Sequence, residues 1–153
     1  MKKHAWLIPF AYGAMVLGAA LYWAIAGTPF DKATYELAMG MSWEAMIESS
    51  NPKLPVLLSA LVRELGGNFG LVSGVLIMAV AATAFRNGEK WAWWALWVLP
   101  LHSALDLYTV WRYDALSAKS FLWDMFLIGF ALWGLYLPVR IFFPGKGQKE
   151  NRS

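Results

Sequence analysis

Lys90 to Asp114 reads KWAWWALWVLPLHSALDLYTVWRYD. Trp91, Trp93, Trp94 and Trp97 stand at its start, and Tyr108, Trp111 and Tyr113 at its end. Amphipathic rings collect at the two headgroup levels of a bilayer, so aromatic clusters about 20 residues apart mark the two ends of a membrane-crossing helix. Pro100, His102 and Asp106 lie between them in otherwise apolar sequence. A His and an Asp in hydrocarbon are costly, and each needs a partner or water. The stretch predicts a membrane helix with a polar spot inside it.

The rest of the chain agrees with that reading. Its 153 residues suit one domain, and 59% of them are hydrophobic, with mean hydropathy +0.45. Apolar segments run over about 5–27, 57–86, 91–111 and 121–143. Each meets the roughly 20 residues that a bilayer core demands, and without water to satisfy the backbone each must be a helix. The expected fold is all-α: an antiparallel four-transmembrane-helix bundle over 1–143, with short helices in an outer loop, 28–53, and a basic tail, 144–153. Lys2 and Lys3 followed by an apolar run ending Ala24-Ile25-Ala26-Gly27 mimic a signal peptide. The run exceeds a signal's usual core, and Tyr22 and Trp23 sit at belt position, so it reads as a retained first span.

The cysteine count is zero, which excludes disulfides, thiolate catalysis and cysteine-held metals. Charge sets the orientation. With the N-terminus cytoplasmic, the inner side holds Lys2, Lys3, Arg86, Lys90, Arg140, Lys146, Lys149 and Arg152 against Glu89 and Glu150, a net +6. The outer side holds Lys32, Lys53, Arg63, Arg112 and Lys119 against Asp31, Glu36, Glu44, Glu48, Glu64, Asp106, Asp114 and Asp124, a net −3. Positive charge in short segments stays inside, so both termini are expected in the cytoplasm of a cell-membrane protein. The basic tail then faces anionic lipid headgroups, not nucleic acid.

In the outer loop, Thr28-Pro29 offers a cap followed by a first-turn proline, Gly40 a stop and Ser42 a second cap. Phe30, Leu37, Ala38 and Met41 fall on one face of helices lying at the membrane surface. Glu44 and Glu48 make a solvated acidic side. The next helix has no strong stop between Pro52 and Arg86, and either bends or breaks at Gly66-Gly67. Gly66, Gly70 and Gly74 form a ridge for close helix packing, and Ala14 and Gly18 suggest a matching small-residue face on the first span.

The turn Arg86-Asn87-Gly88-Glu89-Lys90 runs into Trp91-Ala92-Trp93-Trp94. These residues resemble the turn-plus-tryptophan motif of small prokaryotic four-span membrane proteins, some of them labelled DoxX-like. The resemblance implies the four-span layout and carries over no activity and no functional residues.

His102 and Asp106, four apart, project from one helical face. Pro100 removes a helix hydrogen bond and leaves the Leu96 carbonyl free for a wet kink. Asp106, Asp124, Glu64, Arg63, Asn68 and Arg112 fall in the outer third of the bilayer or at its edge, with His102 a turn deeper. If these groups converge they form a polar cup opening outward. Four uses compete: local ion pairs with Asp124 capping its own helix, a site for a small apolar or amphipathic ligand, an enzyme acting on a lipid-like substrate with His102 and Asp106 as acid and base, and a metal site. One in-membrane His makes metal the weakest. A small proton-coupled transporter is a further alternative, although the first span lacks the acid that the small multidrug-resistance proteins carry there. The working expectation is a non-enzymatic membrane protein binding a small amphipathic molecule, or a subunit of a homo-oligomer or larger membrane complex, with no cofactor specified.

Overall fold

The uncharged run Leu7–Ala26 forms α1 in the computed structural model, which describes residues 4–29, 31–48, 50–112 and 114–143. The basic tail, Lys2, Lys3, Phe30 and Tyr113 lie outside the described residues. Gly27, at φ 67°, closes α1, and its N–H returns to the Trp23 carbonyl at 2.9 Å. That left-handed turn is strained for any residue with a Cβ.

Helices α2 (Lys32–Met39) and α3 (Trp43–Ile47) occupy the loop that follows α1. Gly40 stops α2 at φ 66°, and Ser42 caps α3 by accepting the Ala45 N–H at 3.1 Å. The cap of α2 is Asp31, not Thr28: its carboxylate accepts the Ala33 N–H at 3.2 Å and the Thr34 hydroxyl at 3.1 Å. Two carboxylate oxygens satisfy more donors than one hydroxyl can. Leu37, Ala38 and Met41, expected on the membrane-facing side, are all exposed. Trp43 and Met46 are buried instead and join Leu58 and Val62 in an outer core, with Tyr35 set edge-on against Trp43.

Helix α4 runs unbroken through 33 residues, Lys53–Phe85, or about 50 Å. Gly66 and Gly67 do not break it. They fall in a π-helical stretch, Val62–Asn68, where the Phe69 N–H reaches back five residues to the Glu64 carbonyl. A second such stretch, Ala81–Phe85, closes the helix. The wider turns help bring Gly67, Gly70 and Gly74 to bear on α1. A Cβ on Gly74 would stand 2.9 Å from the Leu17 backbone N, and one on Gly70 would stand 2.8 Å from the Ala20 Cβ. The partner face on α1 is Gly13, Leu17, Ala20 and Ala24. Ala14 and Gly18, expected there, point away, and nothing comes within 4 Å of a Cβ on Gly18.

The stretch expected as one span, 91–111, is two helices: α5 (Lys90–Ala95) and α6 (Val98–Arg112). Pro100 has no N–H for the Leu96 carbonyl, and the Leu99 N–H takes that carbonyl at 3.1 Å instead. The kink is therefore a tightened turn with its acceptor satisfied, not an open wet one. Trp93 leaves the expected belt for the core and donates its indole N–H to the Leu135 carbonyl at 3.0 Å. Helix α7 (Ala118–Tyr136) begins at a Ser117 cap, and α8 (Val139–Phe142) follows a turn at Leu137–Pro138.

Three helical runs are long and apolar enough to cross a membrane: Leu7–Ala26, Lys53–Phe85 and Ala118–Phe142. At one end of the bundle Phe85 packs on Phe142, ring centres 4.8 Å apart, and Arg86 lies over Trp6. At the other, Ser117 donates to Asp31, and the Thr34 hydroxyl meets Ser120 at 3.4 Å. The segment between Arg86 and Ser117 thus runs from one end of the bundle to the other. Helix α6 packs on α7, α7 on α1, and α1 along α4.

Candidate polar site between three helices

The buried polar side chains gather at α1, α6 and α7. Tyr12 is two turns into α1, on the face turned from α1's exposed Ala11, Ala14 and Gly18. Its hydroxyl lies 3.1 Å from Ser103 Oγ, and it reaches the Leu99 carbonyl at 3.5 Å. Ser103 is 1% exposed on the inward side of α6. Asp124, on α7, is 4% exposed, and its Oδ2 is buried with no hydrogen-bond partner among the described residues. Burying a carboxyl oxygen with nothing to bond costs free energy in any protonation state.

Asp124 does not cap its own helix. The Ser117 hydroxyl does that, accepting the Ser120 N–H at 3.0 Å, and Asp124 stands two turns inside. Asp106 is exposed on α6, yet within electrostatic reach of His102, Asp124, Tyr12 and Tyr35. Burial pushes the Tyr35 phenol on α2 above its usual 10.0, and the Asp106 charge adds to the shift. The polar seam thus comprises Tyr12, Ser103 and Asp124 on three helices that pack together, with Asp106 on the exposed side of α6.

The remaining expected residues separate. His102 is exposed beside Asp106, within its electrostatic reach. Arg63 turns to the end of α1. Its Nη1 donates to the Ala24 carbonyl at 2.7 Å and its Nε to Ser59 Oγ at 3.4 Å, so the guanidinium caps the C-terminal end of that helix. The guanidinium also fills the space over Gly27, where a Cβ would come within 2.8 Å of Nε. Glu64, Asn68 and Arg112 are exposed, and none joins Asp124. Among the described residues no group of three His, Asp or Glu side chains is placed to hold a metal ion.

Sequence reasoning missed Tyr12 and Ser103. Tyr12 had a signal, being a side chain with a polar tip inside the apolar first span and away from the expected belt pair Tyr22 and Trp23. Ser103 had only its place beside His102. An open apolar groove of about 390 Å³, lined by Trp93, Trp97, Leu132, Trp133 and Tyr136, is distinct from this seam. No family model, no curated protein and no solved structure matches this chain.

Proposed function

We infer that this is a four-span integral protein of the cell membrane, with both ends cytoplasmic, which binds a small amphipathic molecule by its polar head. The single observation that carries the binding reading is the buried Asp124 oxygen without a partner, on the helix that packs against those of the paired hydroxyls of Tyr12 and Ser103. Native proteins bond nearly all such atoms, and the exceptions call for a missing water, ion or ligand. A hydroxyl or amine head meets the need of either protonation state of Asp124, since each both donates and accepts. The four-span part is supported by α5 and α6, which together carry the chain between the two ends of the bundle. They serve as one span bent at Leu96–Trp97.

The test is extraction of the chain, purified in a mild detergent from its own host's membranes, followed by mass spectrometry of the organic extract. A single amphipathic species near one per chain is expected in the wild type and its loss in Asp124→Leu. An extract holding nothing beyond bulk lipid and detergent overturns the reading.

A subunit role is favoured by a different observation, the exposure of His102 and Asp106 on α6. A charged group inside the bilayer is costly, so an exposed pair there calls for cover from another chain. Light scattering in detergent decides it: wild type larger than one chain, with His102→Leu/Asp106→Leu reduced to one.

A further inference from the structure

The end of the bundle opposite α2 and α3 holds a cavity of about 400 Å³ that the polar seam does not use. His4 and Arg86 supply its polar lining, and Trp6, Phe85, Pro138, Ile141 and Phe142 its apolar walls. That volume falls within the roughly 300–1,000 Å³ of small-ligand sites. The Arg86 guanidinium lies over the Trp6 ring, 5.3 Å from its centre. A cation over an aromatic face is attracted to it, so this contact holds the guanidinium at the edge of the cavity. Among the described residues no carboxylate stands within ion-pair distance of Arg86. A held, unneutralised guanidinium at the edge of an apolar cavity suits a tetrahedral oxyanion attached to an apolar body.

We propose that this cavity binds the phosphate of an anionic phospholipid, with Arg86 as the phosphate-binding residue and Trp6 as its platform. The cavity lies at the end of the spans, where headgroups are, and exposed Lys90 and Arg140 add positive charge at the same end. Basic pockets between membrane helices hold lipid phosphates through this combination of fork-like donors and local charge. The walls of Phe85, Pro138 and Phe142 receive the glycerol and first methylenes. A soluble phosphate would find the same guanidinium but would leave those walls empty.

The full chain, purified in a nonionic detergent, is melted with and without dioleoyl phosphatidylglycerol or dioleoyl phosphatidylcholine added to the micelles. Binding to the folded state raises the midpoint in a saturable way. Phosphatidylglycerol is expected to raise it by several degrees and phosphatidylcholine to leave it nearly unchanged. Each variant is compared with its own lipid-free midpoint. Arg86→Gln and the cavity-filling Ile141→Trp should both abolish the shift, while Lys53→Gln, at the far end, should keep it. If Arg86→Gln fails to fold, Ile141→Trp alone decides. Equal shifts from the two lipids, or a full phosphatidylglycerol shift in the folded cavity variants, overturn the proposal. Reproduction of the shift by millimolar inorganic phosphate assigns the site to free phosphate and overturns the lipid.

Discussion

The hydroxyls of Tyr12 and Ser103, 91 positions apart in sequence, lie 3.1 Å from one another and join the middle of α1 to α6. Both are buried, so neither can fall back on water when the other is removed. Tyr12→Phe or Ser103→Ala should each lower stability by about 1 kcal/mol. The double variant should lose little more than the worse single, since the shared bond breaks once. Equilibrium unfolding in detergent measures the cycle, and strictly additive losses would show that the two hydroxyls do not support each other.

The contact between α1 and α4 makes two glycines on neighbouring helices behave in opposite ways. Gly70→Leu places a side chain where the Ala20 Cβ already stands, 2.8 Å from the first added atom. The expected cost is about 1–3 kcal/mol or more, because the helices must part. Gly18→Leu meets nothing within 4 Å and should be neutral or slightly stabilising, as leucine favours helix over glycine. Equal melting points for the two variants would place the close contact elsewhere.

Orientation follows from the charge split, which is independent of the packing. Reporter fusions after Arg86 and after Ser153 should read cytoplasmic, and a fusion after Ser50 external. A cytoplasmic reading at Ser50 inverts the topology.

The outer helices carry a pH-sensitive link. Lys32 Nζ meets Glu44 Oε1 at 2.8 Å, tying the start of α2 to α3. The hydrogen bond from Lys32 holds the Glu44 carboxyl below its usual 4.5, and the same bond raises the Lys32 ammonium above 10.5. A depressed carboxyl contributes stability above its unfolded value and loses it as pH falls through the folded one. A raised ammonium contributes below its unfolded value and loses it as pH rises through the folded one. Trp43 fluorescence should therefore report loosening of this hairpin at both extremes and none between. Both side chains are exposed, so the effect should be small and disappear in high salt. Glu44→Gln should erase the acid limb.

The residues that decided the membrane reading did so on chemistry alone. Long apolar runs cannot hydrogen-bond their backbone except as helices, and that holds for α1, α4 and the α7–α8 run whatever they pack against. Local punctuation was equally legible: Gly27 and Gly40 are left-handed stops, Ser42 is a cap, and the glycines of α4 meet another helix. These features depend on a few neighbouring atoms, and sequence order supplies those neighbours directly.

Partnership across helices was another matter, because a helix has several faces and sequence does not say which neighbour covers each. That His102, Asp106 and Asp124 are polar groups on long apolar segments was readable, but not that Asp124 turns inward while the other two face out. Arg63, expected at the polar cup, caps the end of α1 instead, 39 residues away. Trp93, expected at the headgroups, is held in the core by a carbonyl at the end of α7, where helix partners run out. Rotation of each helix about its axis is set by the sum of its contacts, above all the glycine seam that locks α1 to α4. That seam leaves the Tyr12 side of α1 free to meet Ser103, and so tertiary packing alone decided which polar groups share a site.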